Sequence, residues 1–461
     1  MGCAARPDRP SFVQTPNLDA LAARGVRFTD AYTPSPICVP ARSAFATGRY
    51  VHNTRHWDNA MPYDGRLPGW GHALQRADIA VESVGKLHYR SESDPAGFDV
   101  EHLPMMVAGG VGMVWGSIRA EDQRPTLPGR MLGDYIGPGD STYTRYDTSV
   151  VERTKQWLQD RKQGSDDRPW CLFVGLVAPH FPLIVPQEFY DLYPPGAIPE
   201  PKLHPSQGYT RHPWVQKQLD QMDNEASFKD ADERQRALAC YYGLCSFLDH
   251  NVGQILEGLT TAGFGAETTV IYTSDHGDNV GARGLWGKSN MYQESVHVPL
   301  LMAGPDVAPS VCRTPVSLVD LSVTLTDHFG ASFAGERGAE PLSHLARQPD
   351  QPDRVAFSEY HAVGSVSGAY MIRKGRWKYI HYVDFAPELF DLRTDPEERV
   401  DLAASPQHRD VLAELHQALC DICDPEATSE RALADQTRLV ARHGGPGIAA
   451  TLGGTGASPT P

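Results

Sequence analysis

Residues 268–278 read TTVIYTSDHGD, a short β-branched apolar run that ends abruptly in Asp275, His276 and Asp278. The run does not alternate apolar with polar residues. It therefore predicts a strand covered on both faces, as in a mostly parallel sheet. IAVESVG (79–85), WCLFVGLV (170–177) and VPLLMAG (298–304) repeat the pattern. Helical patterns lie between these runs. TPNLDALAARG (15–25) offers Thr15 as a cap, Pro16 in the first turn and Gly25 as the stop. Residues 144–162 place Val150, Val151, Thr154, Trp157 and Leu158 on one face. From about Asp232 to Gly263, Leu238, Tyr241, Cys245, Leu248, Val252, Ile255 and Leu259 step by three or four, the period of an amphipathic helix. Strands alternating with helices predict an α/β domain whose mostly parallel central sheet is sandwiched by helices. Residues 181–231, rich in Pro, Tyr and charges, read as a long excursion over the surface that forms a pocket wall.

The character changes after about residue 345. RVAFSEYH, GAYMIRKGRWKYIHYV and ELFDLR predict short antiparallel strands with a tight turn at Lys374-Gly375, followed by a helix near 405–423. The expected organisation is a large α/β domain over 1–345, a small α+β domain with an antiparallel sheet over 346–443, and a flexible low-complexity tail over 444–461.

Bulk properties exclude some functions. A chain of 461 residues exceeds one ordinary core, and its formal charge of -15 argues against a nucleic-acid or anionic-membrane surface. A small anionic substrate remains compatible, since a pocket can be locally positive. No apolar run reaches the roughly 18 residues of a membrane span, and no charged-then-apolar leader opens the chain. The eight cysteines lack a repeated spacing, and several sit in apolar runs, the usage of a reduced cytoplasmic protein. Cys420 and Cys423 read as two thiols on a helix rather than a metal motif.

Ligands of open α/β sheets bind beyond the carboxyl ends of the strands. Here those ends deliver Gly85-Lys86-Leu87-His88, Ala178-Pro179-His180 and Asp275-His276-Gly277-Asp278. A single histidine after a strand is more often structural than functional. Three such ends together point to a site. Asp275 and His276 suit a divalent cation, and Lys86 with Lys288 can neutralise a tetrahedral anion. His88 and His180 can move protons near neutral pH. Cys38 precedes Pro40 and Arg42 at the mouth of a predicted helix, whose free N–H groups favour an anion. Its thiolate is one candidate nucleophile, although sulfur is a poor match for a hard cation and an anionic ester.

CVPARSAFATGR (38–49) resembles the signature of the sulfatase family, C-x-P-S/A-R followed by T-G-R. TPNLDALAARGVRFTDAY (15–32), GKLH (85–88), PHFP (179–182), TSDHGDNVGARGLWGKSNMYQESVHVPLL (273–301) and GRWKYIHYVDFAPELFDLRTDPEERVDLA (375–403) match that family in order. Within it the chain is similar to the bacterial choline-sulfatase-like and arylsulfatase-like members. The resemblance implies an alkaline phosphatase-like fold and hydrolysis of a small sulfate ester. It implies that Cys38 is converted to Cα-formylglycine by a formylglycine-generating enzyme and that Arg42 steadies the aldehyde hydrate. Lys86 and His88 would contact the hydrate and sulfate, with His88 the base that later collapses the diol. His180 and Lys288 would bind the ester and protonate the departing oxygen. Asp275 and His276 would hold the metal, Ca²⁺ with Mn²⁺ as the alternative. Asn59 and Trp115, with Trp57 and Tyr89, are candidates for the leaving-group pocket, and homo-oligomer formation is open. The rival readings are a phosphonate monoester or phosphodiester hydrolase with the same nucleophile, and an inactive shortened homologue.

Two positions depart from the family pattern. Residue 41 is Ala where Ser is usual. Family members also begin with a buried strand ending in two acidic metal ligands, and this sequence starts just after the place where that strand would be. The expectation is a true start upstream, with Asp8 no replacement for the pair.

Overall fold

The computed structural model describes residues 12–125, 131–194, 196–453 and 458–461. Asp8 lies outside the described residues.

The main strands before about residue 345 form two blocks, beside two short parallel pairs, Ala31–Tyr32 with Val316–Ser317 and Gly137–Pro138 with Ile184–Val185. In one block, Ala80–Lys86 runs parallel to both neighbours, Val100–Met105 and Trp170–Gly175. In the other the order is Ser310–Cys312, Val26–Phe28, Leu300–Ala303, Val270–Thr273. Leu300–Ala303 runs antiparallel to its two neighbours. The chain reaches it from Thr273 by a loop that turns back on itself and re-enters at the end it left, Leu300 pairing with Thr273. The domain is thus a mixed, mostly parallel sheet flanked by helices.

The apolar runs differ in how far they are covered. Ala80, Val81, Val84 and all of Leu300–Ala303 are buried, as their composition predicts. Residues 170–174 and 270–273 are only half-buried. The outer edges of these two strands pair with no strand among the described residues, and both line a cavity of ≈ 1160 Å³. Leu18, Leu21, Phe45, Trp70, Val252 and Leu259 supply part of its apolar wall, and Arg42, Lys86, Asp275 and His276 also border it.

Helix boundaries follow local chemistry. Thr142–Gln163 starts where Ser141 accepts from the Thr144 N–H, and Ala231–Thr261 where Asp230 accepts from Glu233. These two long helices pack on each other. Cys38–Thr47 ends at Gly48, whose φ of 60° closes the helix in the left-handed region. It packs on Leu318–His328, which carries a Ser317/Asp320 capping box.

The later part is an antiparallel meander of Ala356–Tyr360, Ala369–Lys374, Trp377–Tyr382 and Glu388–Asp391. Gly375-Arg376 forms the tight turn, with Gly375 at φ 59°. The predicted helix is Arg409–Cys420, packed across the sheet, and a second helix follows at Pro425–Arg442. Within 444–461, Pro446–Ala449 forms a short helix, and its Ala449 packs with Val114 and Trp115.

Candidate active site

The strand ends converge on Cys38. It is the first residue of its helix and 1% exposed, with Sγ 3.2 Å from His276 Nε2. His276 Nδ1 lies 2.9 Å from the Gly277 carbonyl, which only an N–H can satisfy. Nδ1 therefore carries a hydrogen, and Nε2 is the nitrogen that faces the sulfur. One turn along the helix, Arg42 donates through Nε to Asp275 Oδ2 (2.8 Å) and through Nη1 to the Lys86 carbonyl (2.9 Å). One guanidinium thus joins the nucleophile's helix to two strand ends. Gly85 has φ 98°, and a β-carbon there would lie 2.3 Å from the Gly175 carbonyl, so only glycine lets these strands approach. His88 sits at φ 60°, a costly conformation for a side-chain-bearing residue and a common one at functional sites.

His180 Nδ1 lies 2.7 Å from the Phe181 carbonyl and therefore carries the hydrogen. Its Nε2 accepts from Lys288 Nζ at 3.2 Å. Burial, then Lys288, pushes the His180 pKa down to about 3, and burial, with Lys86 adding to it, pushes His88 down to about 4. Both rings are neutral at pH 7. Burial alone would raise the Cys38 thiol pKa, but Lys288, Lys86 and His276 outweigh it and hold the thiol well below its ordinary value. Asp275 is likewise held low, where Arg42 and His276 overcome its burial. Asp278 accepts from Val280 N–H and Gly287 N–H, both at 3.0 Å, which folds the loop so that Lys288 returns to the site.

All eight residues from Cys38 to Lys288 that the strand ends and the signature single out therefore meet in one place. The leaving-group candidates divide. Asn59 Oδ1 accepts from Val39 N–H at 3.1 Å and so caps the nucleophile's helix. Trp115, 3% exposed, borders a small pocket shared with Cys38, Asn59, His180 and Lys288, while its ring packs with Val114, Val440 and Ala449. Trp57 is buried, donating to Asp435 at 2.8 Å, and Tyr89 packs on Tyr63.

Asp147 and Tyr143 were not singled out from sequence. Asp147 is fully buried and accepts from Val177 and Ala178 N–H at 2.7 and 2.8 Å, fixing the backbone that leads to His180. Its signal was a carboxylate on the same helical stripe as Tyr143, Val150 and Thr154. Tyr143 stands edge-on to His180, ring centres 5.9 Å apart.

Cys38, Asp275 and His276 each present a ligand atom within 4.8 Å of the others. A carboxylate, an imidazole lone pair and a third donor fit a divalent cation. Arg42 and Asp275 compensate each other, so Lys86 and Lys288 leave the region short of negative charge.

A sheet wound in this way, with cations and a metal-capable trio beyond its strands, defines an alkaline phosphatase-like hydrolase of small esters. The fold is shared with solved structures: a phosphonate monoester hydrolase of Agrobacterium radiobacter superposes with a TM-score of 0.72 at 23% identity, over 89% of this chain and 91% of that one. The family model Sulfatase matches residues 8–331, and N-sulphoglucosamine sulphohydrolase, C-terminal, matches 281–424. The chain belongs to the sulfatase family. It is 33% identical to a choline-sulfatase of Rhizobium meliloti (strain 1021) over 410 residues, 87% of this chain and 80% of that protein. It is 29% identical to arylsulfatase K of Danio rerio over 447 residues, 91% of this chain and 80% of the relative. Among the described residues no helix is long and apolar enough to cross a membrane.

Proposed function

We propose that the protein hydrolyses a sulfate ester to an alcohol and inorganic sulfate, with residue 38, converted to Cα-formylglycine, as the nucleophile. The observation that carries this reading is the meeting of Lys86, Lys288 and His276 on Cys38 at a helix N-terminus, with neither lysine in an ion pair among the described residues. The Cys38 sulfur stands where the oxygens of the aldehyde hydrate would be. That hydrate supplies one hydroxyl to attack sulfur and a second whose ionisation later expels sulfate, a route closed to a thiol or a serine. Asp275 and His276 would hold a divalent metal, Ca²⁺ or Mn²⁺, which lowers the hydroxyl's pKa and screens the ester's charge.

The chain's own residues do the rest. Lys86 and Lys288 offset the charge of the ester oxygens, which are worth most to a donor in a buried site. Lys288, held by neutral His180, is placed to give a proton to the departing oxygen. Neutral His88 can take a proton from the second hydroxyl. Arg42 keeps Asp275 ionised and ties it to the nucleophile's helix.

The pocket beside Cys38 is bordered by Met113, Trp115, Met131, Phe181, Met222 and Trp286, with no carboxylate among its described residues. That lining suits an aryl or alkyl leaving group. A choline ester is the cationic case, supported by the 33% identity to the choline-sulfatase and by two tryptophans, Trp115 and Trp286, at the border of the pocket.

The test compares kcat/KM for an aryl sulfate, choline sulfate and an aryl phosphonate. Peptide mass spectrometry follows the loss of mass at residue 38 when thiol becomes aldehyde. Sulfate turnover that requires the conversion, and that Cys38→Ala lowers about 10⁴-fold or more, is expected. A strong preference for the phosphonate overturns the sulfate reading.

A further inference from the structure

The chemistry proposed above has no use for the end of the chain, yet Ser458 lies inside it. Its hydroxyl is 2.7 Å from His88 Nε2, and its carbonyl accepts from Tyr143 OH at 2.8 Å. Tyr143 in turn stands against His180. Ser458 thus bridges the walls that carry the two histidines. Because His88 Nδ1 is buried, Nε2 is the nitrogen that an incoming ester would meet. The Ser458 hydroxyl is where an ester or sulfate oxygen would lie.

The approach of this segment is anchored. The Pro446–Ala449 helix packs on Trp115 at the rim of the pocket. Gly453 lies so close to the Gly112 carbonyl that a β-carbon would come within 1.7 Å of it. Beyond that anchor the seat is light. Residues 458–461 read SPTP, and the two prolines have no N–H to donate. Among the described residues two hydrogen bonds, each worth little net in competition with water, hold Ser458, so a ligand making ionic contacts can displace it.

We propose that residues 458–461 are a self-occluding segment: they seat on His88 and Tyr143 in the resting protein and leave when an ester enters. This regulation rests on the active-site reading given above, and its test has one arm that needs no turnover. In the unconverted thiol form, the rate of Cys38 alkylation by iodoacetamide is followed by peptide mass spectrometry. It is compared for the full chain, a chain stopped before Ser458, and Ser458→Ala. Circular dichroism checks that all three are folded.

Alkylation about tenfold faster in the shortened chain and about threefold faster in Ser458→Ala is expected, the alanine variant keeping the Tyr143 bond. With converted enzyme and an aryl sulfate, KM should fall by similar factors at unchanged kcat, as for removal of an internal competitor. Equal alkylation rates overturn the proposal. A fall in kcat/KM on shortening also overturns it, since the segment would then be part of the ester-binding wall. If no variant turns over any ester, the hydrolase reading fails while the alkylation contrast still decides the role of the segment.

Discussion

Two of the places where this molecule buries charge are built differently. At the seam between the large domain and the C-terminal sheet, Lys378 and Glu398 are both 0% exposed and 2.5 Å apart. Beside them Arg283, also 0% exposed, pairs with Glu294 at 3.0 Å and Glu398 at 3.6 Å and lies over the Tyr292 ring. Every cation there meets a carboxylate. At the strand ends, among the described residues, Arg42 does so through Asp275. Lys86 is 4% exposed, and among the described residues neither it nor Lys288 has a carboxylate within ion-pair distance. Removing an ion from water costs several kcal/mol unless an opposite charge offsets it. The seam meets that cost internally and is structural. The site leaves it open, which is what the proposed binding of an anionic ester requires.

The contrast can be broken by substitution. The largest effect belongs to the seam. Lys378→Met removes the nearest cation from Glu398, leaving it Arg283 at 3.6 Å, and should cost about 3 kcal/mol of stability, read by urea denaturation. The paired change Lys378→Met with Glu398→Leu should recover part of the loss, because no under-compensated carboxylate remains and Arg283 keeps Glu294. If the pair costs as much as the two single changes added together, compensation is not what the seam provides.

Lys288→Ala and Lys86→Ala should do the opposite. Each removes a cation without a carboxylate partner, so stability should hold or rise. kcat/KM for the ester should fall by about 3 kcal/mol, the loss of an oxyanion donor. Near-unchanged kcat/KM for both would misplace the site.

The smallest effect tests a buried carboxylate that no cation pairs. Burial pushes Asp147 up to about 7, although the Ala178 and Val177 N–H groups favour its charged form. A carboxyl that is raised on folding gives stability at pH below its ordinary 3.8, and that stability is lost as pH rises through about 7. Asp147→Asn should flatten the fall of Tm between about pH 4 and 7, leaving the share of Glu388, which burial also raises to about 7. An unchanged slope would put the burial cost elsewhere.

Much of the site was legible because its residues follow apolar runs directly. Lys86, His88, His180, Asp275 and His276 each sit within a few residues of a strand's carboxyl end, where the winding of an α/β domain must bring them together. Cys38 and Arg42 were legible as one helical turn. Lys288 was legible as a cation but its approach was not, because the loop that returns it depends on Asp278 accepting two backbone N–H groups. Asp147 was hidden inside an amphipathic pattern, and its partners lie thirty residues away in sequence. Asn59 was singled out for the leaving group, and the structure gives its carbonyl to the Val39 N–H. A side-chain amide's partner is a matter of three-dimensional approach, which no spacing records.

The sequence by itself determined the α/β winding, the antiparallel second sheet and the chemical identity of the strand-end groups, because these rest on local periodicity and on residues adjacent to it. Only the tertiary structure decided that Leu300–Ala303 runs against its neighbours, that the edges of Trp170–Gly175 and Val270–Thr273 border one cavity, and that Ser458 reaches His88. Those features depend on which distant segments pack together, and packing is fixed by shape and burial summed over the whole chain rather than by any one stretch of it.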